Sequence, residues 1–276
     1  MGQPSAGTCA CTPVAVLAGY YPDDQRPWWG PPLSVVVDEF AQLEDGHGLL
    51  LECSHFGTGL SGASLPWRSG RDHKLLMGRG ANASPTLGLV RDRGAGRVTI
   101  DDDGEAVVTY PLDDELDRRL LDRAVHLIAE VQRAAGATVI VDFGPAGHIW
   151  RRGDDLDAFV QRVRAQPLGA GGRLLFSAHQ MGTARMGTDP ATSVADAHGQ
   201  LHDVAGVYIG DTSAFPTAVG SNPMLTCMAL ARRTAHAILA AAPVGTAHAI
   251  LAATPAGSTD APGTPPAAAA TPTPTG

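Results

Sequence analysis

The sequence lacks the features that mark several large classes of protein. Its 20 lysine and arginine residues are outnumbered by 28 acidic residues, with no basic block, which excludes a binder of nucleic-acid backbones. Four scattered cysteines (Cys9, Cys11, Cys53 and Cys227) offer neither a disulfide framework nor a second pair at zinc-ligand spacing. No apolar run reaches the ~18 residues of a membrane span. These absences predict a cytoplasmic protein with no nucleic-acid partner, no metal site and no membrane span.

Common catalytic motifs are missing as well. Neither a G-x-S-x-G elbow nor an H-E-x-x-H motif occurs, which excludes the usual hydrolases and zinc proteases. The glycine-rich residues 168–173 do not fit the G-x-G-x-x-G frame and are expected to form a flexible loop. No predicted strand leads through such a frame into a helix, so no dinucleotide-binding unit is predicted.

What is present is enough apolar sequence for a core and a set of patterned elements. Hydrophobic residues make up 44% of the chain. Runs rich in β-branched residues predict strands at 33–40, 49–56, 97–100, 106–110 and 137–143. Amphipathic patterns predict helices at 112–137, capped by Asp113 or Asp114 and stopped by Gly136, and at 154–165, capped by an aspartate.

The order of these elements indicates the fold class. Asp103-Gly104 predicts a hairpin turn rather than a calcium loop. Hairpins followed by helices, without regular β-α-β alternation, favour an α+β fold with a mostly antiparallel sheet backed by helices.

The C-terminal third predicts a strand, a loop and a helix, followed by a repeat and a low-complexity tail. Residues 206–211 predict a short buried strand ending at Asp211, followed by a loop and a helix over 222–241. Asn222 is a candidate N-cap and Pro223 a candidate first helical residue. The octapeptide TAHAILAA of 234–241 recurs at 246–253, and the proline- and alanine-rich tail is expected to be disordered from about residue 255.

One histidine stands out as a candidate for proton transfer. His179 lies in the stretch SAHQMGTARMG, whose glycines allow the backbone to approach a ligand closely. The alternative is a loop histidine whose bonds are satisfied within the protein. Met181 and Met186 of the same stretch are expected to be packing residues.

Other candidates also keep two interpretations. Asn222 either caps its own helix or, if Ser221 is the cap, directs its amide toward a substrate. Asp211 either binds a sugar or ribityl hydroxyl or only starts a turn. Trp28, Trp29 and Trp67 either line an apolar pocket or belong to the core, and the core is favoured.

The stretch from SAHQMG through GDTSAFPTAVGSNPM to AHAIL, residues 177–239, closely resembles the C-terminal signature of the glucose–methanol–choline (GMC) flavoprotein oxidoreductases. Within this family, the sequence of these motifs is most similar to the branch of the long-chain alcohol oxidases. Upstream segments such as DQRPWWGPPLSVVVDEF and LPWRSGRDHKLLM resemble the substrate domain of that branch, so the likeness covers about residues 12–240.

The resemblance implies an FAD-dependent enzyme that oxidises CH–OH groups. His179 would take the alcohol proton, Asn222 would fill the second catalytic position, and hydride would pass to flavin N5. The implied FAD contacts are Asp211, Thr212, Asn222, Pro223 and Met224, with the helix dipole stabilising negative charge on the reduced flavin.

The resemblance also implies a domain division. We expect an unrelated N-terminus (1–11), a substrate-binding domain (12–176), a catalytic and FAD-contacting segment (177–242) and a duplicated, low-complexity tail (243–276). The chain is expected to be the C-terminal half of such an enzyme, with an alcohol substrate, long-chain or apolar, and a separate FAD-binding half as partners. The alternative is an inactive remnant, or a non-catalytic module without FAD.

Overall fold

The computed structural model describes residues 8–169 and 171–241, with the backbone alone for Thr8 and Cys9. The predicted disordered tail, the second copy of the octapeptide and most of the predicted N-terminal extension lie outside these residues. The chain divides into a unit that ends at Thr234 and a second that starts at Ala235, of which residues 235–241 are described.

The main element is an antiparallel sheet that joins strands far apart in the sequence. Its strands are β2 (Val14–Tyr20), β3 (Val36–Val37), β4 (Leu49–Cys53), β5 (Ala83–Val90), β8 (Val139–Asp142), β9 (Ile149–Arg151) and β10 (Leu175–Phe176). The spatial order is β3-β4-β5-β2-β8-β9, and β10 pairs with the first two residues of β2. The prediction of an α+β fold with a mostly antiparallel sheet is confirmed.

A smaller sheet contains β1 (Thr8–Cys9), β6 (Gly96–Ile100) and β7 (Ala106–Thr109). The turn between β6 and β7 is the predicted hairpin turn. Gly104 has a φ of 86°, and the Asp101 carboxylate accepts from the N–H groups of Asp103 and Glu105. The acidic cluster therefore closes a hairpin.

The helices carry the expected caps. Helix α3 (Glu115–Ala134) begins after Asp114, whose carboxylate accepts from two first-turn N–H groups, and Gly136 follows its end with a φ of 94°. Helix α4 (Leu156–Arg164) is capped by Asp155. In the described ranges, no helix combines the length and apolar character that crossing a bilayer requires.

The two sides of the main sheet are covered by different elements. One side packs against α3 and α4 through a cluster that includes Leu17, Leu51, Ile128 and Phe159. The other side carries α1 (Thr58–Ser64) and α2 (Gly70–Gly78). Its buried side chains include Val14, Tyr20, Leu50, Phe56, Leu87, Leu89 and Phe143. We call the second side the open face.

A glycine pattern leads into α1. Residues 57–62 read Gly-Thr-Gly-Leu-Ser-Gly and match the G-x-G-x-x-G frame between β4 and α1, so the conclusion that no strand leads through such a frame into a helix is wrong. A dinucleotide unit requires a parallel strand after the helix. Here β4 pairs antiparallel with both neighbours, and α1 is followed by α2, so this segment is not a Rossmann unit.

The C-terminal region corrects two predictions. Residues 206–211 form no strand and are not buried; Tyr208 makes one isolated bridge to Gln200. Helix α5 spans Met224–Ala241, and the Pro223 carbonyl accepts from the Cys227 N–H at 2.8 Å. Pro223 therefore precedes the helix as its N-cap residue and is not the first helical residue, and Asn222 lies one position outside the cap.

Candidate functional site

Two segments distant in sequence lie side by side and form the frame of the site. The first segment contains Gly182, Ala184 and Met186, and the second contains Thr212, Ser213 and Ala214. The N–H groups of the first donate, in this order, to the carbonyls of the second at 2.8–3.1 Å. The Thr212 hydroxyl donates back to the Gln180 carbonyl at 2.9 Å. These hydrogen bonds therefore bring His179 close to Asp211 and Thr212.

His179 is held at the beginning of β2. Strand β10 pairs Phe176 with Val14, and the following Ser177 donates its hydroxyl hydrogen to the Cys11 carbonyl. The same Ser177 oxygen accepts from the His179 backbone N–H at 3.0 Å. The backbone of His179 is thereby tied to the sheet through a single serine.

The His179 ring is partly buried, and this burial determines its protonation. Its Nδ1 atom is buried without a hydrogen-bond partner. Burial lowers the pKa of the imidazole, because the charged form loses hydration. The ring is therefore neutral at neutral pH, which is the form that a general base requires.

Asn222 contacts the open face. Its Nδ2 donates to the Glu52 carboxylate on β4 at 3.4 Å, and its Oδ1 is buried without a partner. The amide does not cap α5, so the capping interpretation of Asn222 is wrong, and the amide contacts Glu52 instead. No cap by Ser221 is present among the described contacts.

The anchors of His179 and Asn222 belong to different strands of the main sheet. Val14, Leu89 and Leu50 lie opposite one another across β2, β5 and β4, and Glu52 follows two residues along β4. With strands about 4.8 Å apart, the two anchoring strands are separated by roughly 10 Å. Within the described part of the chain, the two side chains share no hydrogen bond.

The other predicted contacts differ widely in burial. Asp211 is exposed, and its carboxylate accepts from the Ser213 N–H at 2.7 Å, which fits the turn-forming alternative. Thr212 is partly buried, Pro223 is buried, and Met224 is 63% exposed. Met181 is fully buried beside Phe215, as expected of a packing residue.

The prediction that the tryptophans belong to the core is wrong. Trp28, Trp29 and Trp67 are 49%, 79% and 69% exposed, so none of them belongs to the core. The first two lie in the proline-rich connection before β3, and Trp67 stacks on His73. Trp28 lines a 280 Å³ cavity on the open face together with Tyr20, Phe56, Leu65 and Met77.

A second cavity lies beside the paired segments. Its volume is 320 Å³, and its walls include Gly182, Phe215 and the three arginines Arg91, Arg93 and Arg185. Arg93 is engaged by Asp114 in an ion pair at 2.9 Å. The Asp92 carboxylate lies in the same wall, so the cavity carries charges of both signs.

Glu52 is the residue that the sequence analysis missed. Its side chain is 3% exposed, and burial raises the pKa of the carboxyl group, an effect that the Asn222 hydrogen bond opposes. The only signal in the sequence is a single charge at the end of the apolar run LLLEC.

Because the pKa of Glu52 is raised, Glu52→Gln should change the stability of the protein in a pH-dependent way. A carboxyl group with a raised folded-state pKa stabilises the protein fully below its ordinary pKa, and this contribution is lost as the pH rises through the raised value. We therefore expect the variant to unfold at a higher temperature than the wild type at pH 7, with the difference shrinking toward pH 4. Thermal unfolding across this range measures it.

The exposed Glu39 provides the matched control. Glu39→Gln should follow the wild-type unfolding temperature at each pH. A Glu52→Gln curve parallel to the wild-type curve would show that Glu52 has an ordinary pKa in the folded chain.

Comparison with known proteins identifies the class. The family model for GMC oxidoreductase matches residues 92–231, half of the chain, and includes His179 and Asn222. The chain therefore belongs to the GMC oxidoreductase family.

Individual relatives refine this assignment. The chain is 28% identical to a long-chain-alcohol oxidase of Arabidopsis thaliana over 79% of its own length and 31% of that protein. It is 30% identical to an uncharacterized GMC-type oxidoreductase of Mycobacterium tuberculosis, over 87% of its length and 36% of the relative. The chain thus spans about a third of the length of these curated relatives.

A solved structure supports the fold. Formate oxidase from Aspergillus oryzae, studied for its FAD modification, superimposes with a TM-score of 0.57 at 14% identity, covering 85% of this chain and 47% of that one. At this identity the likeness concerns the fold alone.

Proposed function

We propose that this chain supplies the substrate-binding sheet and the catalytic pair His179 and Asn222 of an FAD-dependent enzyme that oxidises alcohols. The observation that carries the proposal is that two of the eight buried side-chain atoms without hydrogen-bond partners in the described residues, His179 Nδ1 and Asn222 Oδ1, belong to the two residues of the family signature. Both belong to the family-matched segment and to residues that are anchored to the main sheet. Buried polar atoms without partners are uncommon and are characteristic of functional sites.

These residues fit a flavin and an alcohol. Asn222 and Thr212 offer hydrogen-bonding groups, the start of α5 directs N–H groups and partial positive charge outward, and Asp211 is exposed. We propose Asp211, Thr212, Asn222, Pro223 and Met224 as the FAD contacts. The chemistry that FAD would supply is acceptance of a hydride from the carbinol carbon.

The steps assigned to this chain concern the hydroxyl group. The neutral His179 ring accepts the hydroxyl proton as the C–H bond breaks, so no alkoxide has to form in water. Asn222 holds the hydroxyl group through its amide. Gly182 adopts a φ of 83°, a conformation that glycine allows.

The substrate is proposed to be an alcohol with an apolar chain. The support is the 280 Å³ cavity on the open face, whose walls include Tyr20, Trp28, Phe56 and Met77. The aromatic and aliphatic side chains of this wall would stabilise a hydrocarbon chain by removing it from water. The names of the plant relatives point to the same substrate class.

The FAD-binding part is proposed to act together with this chain as a partner. The chain would be purified alone and together with the product of the adjoining upstream reading frame. We expect flavin absorbance and reduction of a dye dependent on 1-dodecanol in the combination. If FAD is retained but no alcohol reduces the dye, the non-catalytic alternative is correct; if no flavin is retained, the flavin assignment fails.

A further inference from the structure

Glu52 differs from the other buried carboxylates of the described chain. Asp92, Asp117 and Asp142 each accept at least two hydrogen bonds from N–H or O–H groups at 2.7–3.0 Å. The Glu52 carboxyl group, equally buried, has one partner, the Asn222 amide at 3.4 Å. Burying a carboxylate with so few partners is unfavourable, so its presence calls for a role other than stability.

The single contact has a chemical consequence for Asn222. An ionised carboxylate accepts hydrogen bonds and cannot donate them, so it selects the NH₂ end of the facing amide. With Nδ2 turned toward Glu52, the amide has Oδ1 as its other end, and this atom is without a partner. The orientation of the amide is therefore set, with Nδ2 toward β4 and Oδ1 as the end without a partner.

The position of Glu52 on the sheet suits a residue that orients the Asn222 amide. Its side chain extends from β4 on the open face, in the cross-strand pair with Leu87 of β5. A residue on a strand with partners on both sides is held rigidly, and a rigid neighbour fixes the orientation of the group that it contacts. Asn222 itself lies in a loop just before α5, where its own backbone constrains it less.

We infer that Glu52 is a positioning residue that fixes the orientation of the Asn222 amide beside the alcohol, whose single hydroxyl hydrogen is left for His179. This inference rests on the proposed function. It assigns Glu52 no contact with the reacting atoms.

The sequence allows a direct spectroscopic test. Asn82 and Asn222 are the only asparagines in the chain, so selective ¹⁵N-asparagine labelling gives two side-chain amide signals. Asn82 donates to the carbonyls of Pro22 and Asp23 and serves as an internal reference. Spectra of the full chain would be recorded at pH 8 for the wild type, Glu52→Gln and Glu52→Leu.

We expect Glu52→Leu to shift the Asn222 amide protons toward free-amide positions and to accelerate their exchange with water, while the Asn82 signal stays in place. Glu52→Gln should retain most of the wild-type signal, because the glutamine carbonyl accepts the same hydrogen bond. Leu87→Met, which perturbs packing beside Glu52 and keeps its carboxylate, should leave the Asn222 signal unchanged. An unmoved signal in Glu52→Leu, or an equal shift in Leu87→Met, would overturn the inference.

Turnover in the FAD-containing complex provides the second readout. Glu52→Leu should lower kcat about 10-fold to 100-fold with little change in KM, because a misplaced amide costs orientation more than substrate binding. Glu52→Gln should restore most of the rate. A wild-type kcat in Glu52→Leu contradicts the positioning role, whereas an inactive wild-type complex with the expected Asn222 signals contradicts the proposed function alone.

Discussion

Replacing His179 by alanine is expected to lower alcohol-dependent turnover about 10²–10⁴-fold, the usual contribution of a general base. The physical reason is the neutral imidazole, whose pKa is lowered by burial and whose backbone is fixed by Ser177. The loss should appear in kcat and in kcat/KM, since proton removal belongs to the transition state. Steady-state kinetics of the FAD-containing complex measures it.

A second histidine supplies the control for this substitution. His198 is exposed in a turn, and His198→Ala should retain the wild-type rate. The wild-type rate should also decline as the pH falls through the lowered pKa of His179, because the protonated ring cannot accept a proton. A His179→Ala complex with the wild-type rate would remove this residue from the mechanism.

Replacing Asp92 by alanine is expected to destabilise the fold by about 2–5 kcal/mol, since several buried donors would lose their acceptor together. The Asp92 carboxylate is 4% exposed and accepts from the N–H groups of Cys11 and Thr12 and from the Tyr110 hydroxyl, at 2.7–3.0 Å. Chemical denaturation of the full chain measures the loss.

The same contacts connect Asp92 to the site. Asp92 holds the Cys11 backbone, and the Cys11 carbonyl accepts from Ser177, which in turn accepts from the His179 N–H. Tyr110→Phe removes one of the three hydrogen bonds and should cost about 1 kcal/mol. If Asp92→Ala unfolds at the wild-type denaturant concentration, this carboxylate does not hold Cys11 and Thr12 against the loop after β5.

The local parts of the fold could be predicted from the sequence. Helices α3 and α4 follow from apolar spacing together with a capping aspartate and, for α3, a stopping glycine, all of which act within a few residues. The sequence analysis missed the short strands β1, β9 and β10 and, more importantly, β2 and β5, which lie at the centre of the sheet. Their pairing depends on contacts about 70 residues apart, and β5 contains Pro85, a residue that argues against an interior strand.

The site was predicted only in part, for a similar reason. His179 and Asn222 were identified through the family signature, and their roles remain proposals. Glu52 could not be recognised, because its importance comes from the approach of Asn222, 170 positions away in the chain. The assignment of Pro223 to the first helical position was wrong because α5 starts one residue later, which moves Asn222 out of the capping position.

The most direct test of the central claim is anaerobic mixing of the FAD-containing complex with 1-dodecanol, followed by flavin absorbance over time. The account predicts rapid bleaching of the flavin in the wild type and bleaching slowed by about 10²–10⁴-fold in His179→Ala. A wild-type flavin that stays oxidised with every alcohol offered, or equal bleaching rates in the two proteins, would contradict it.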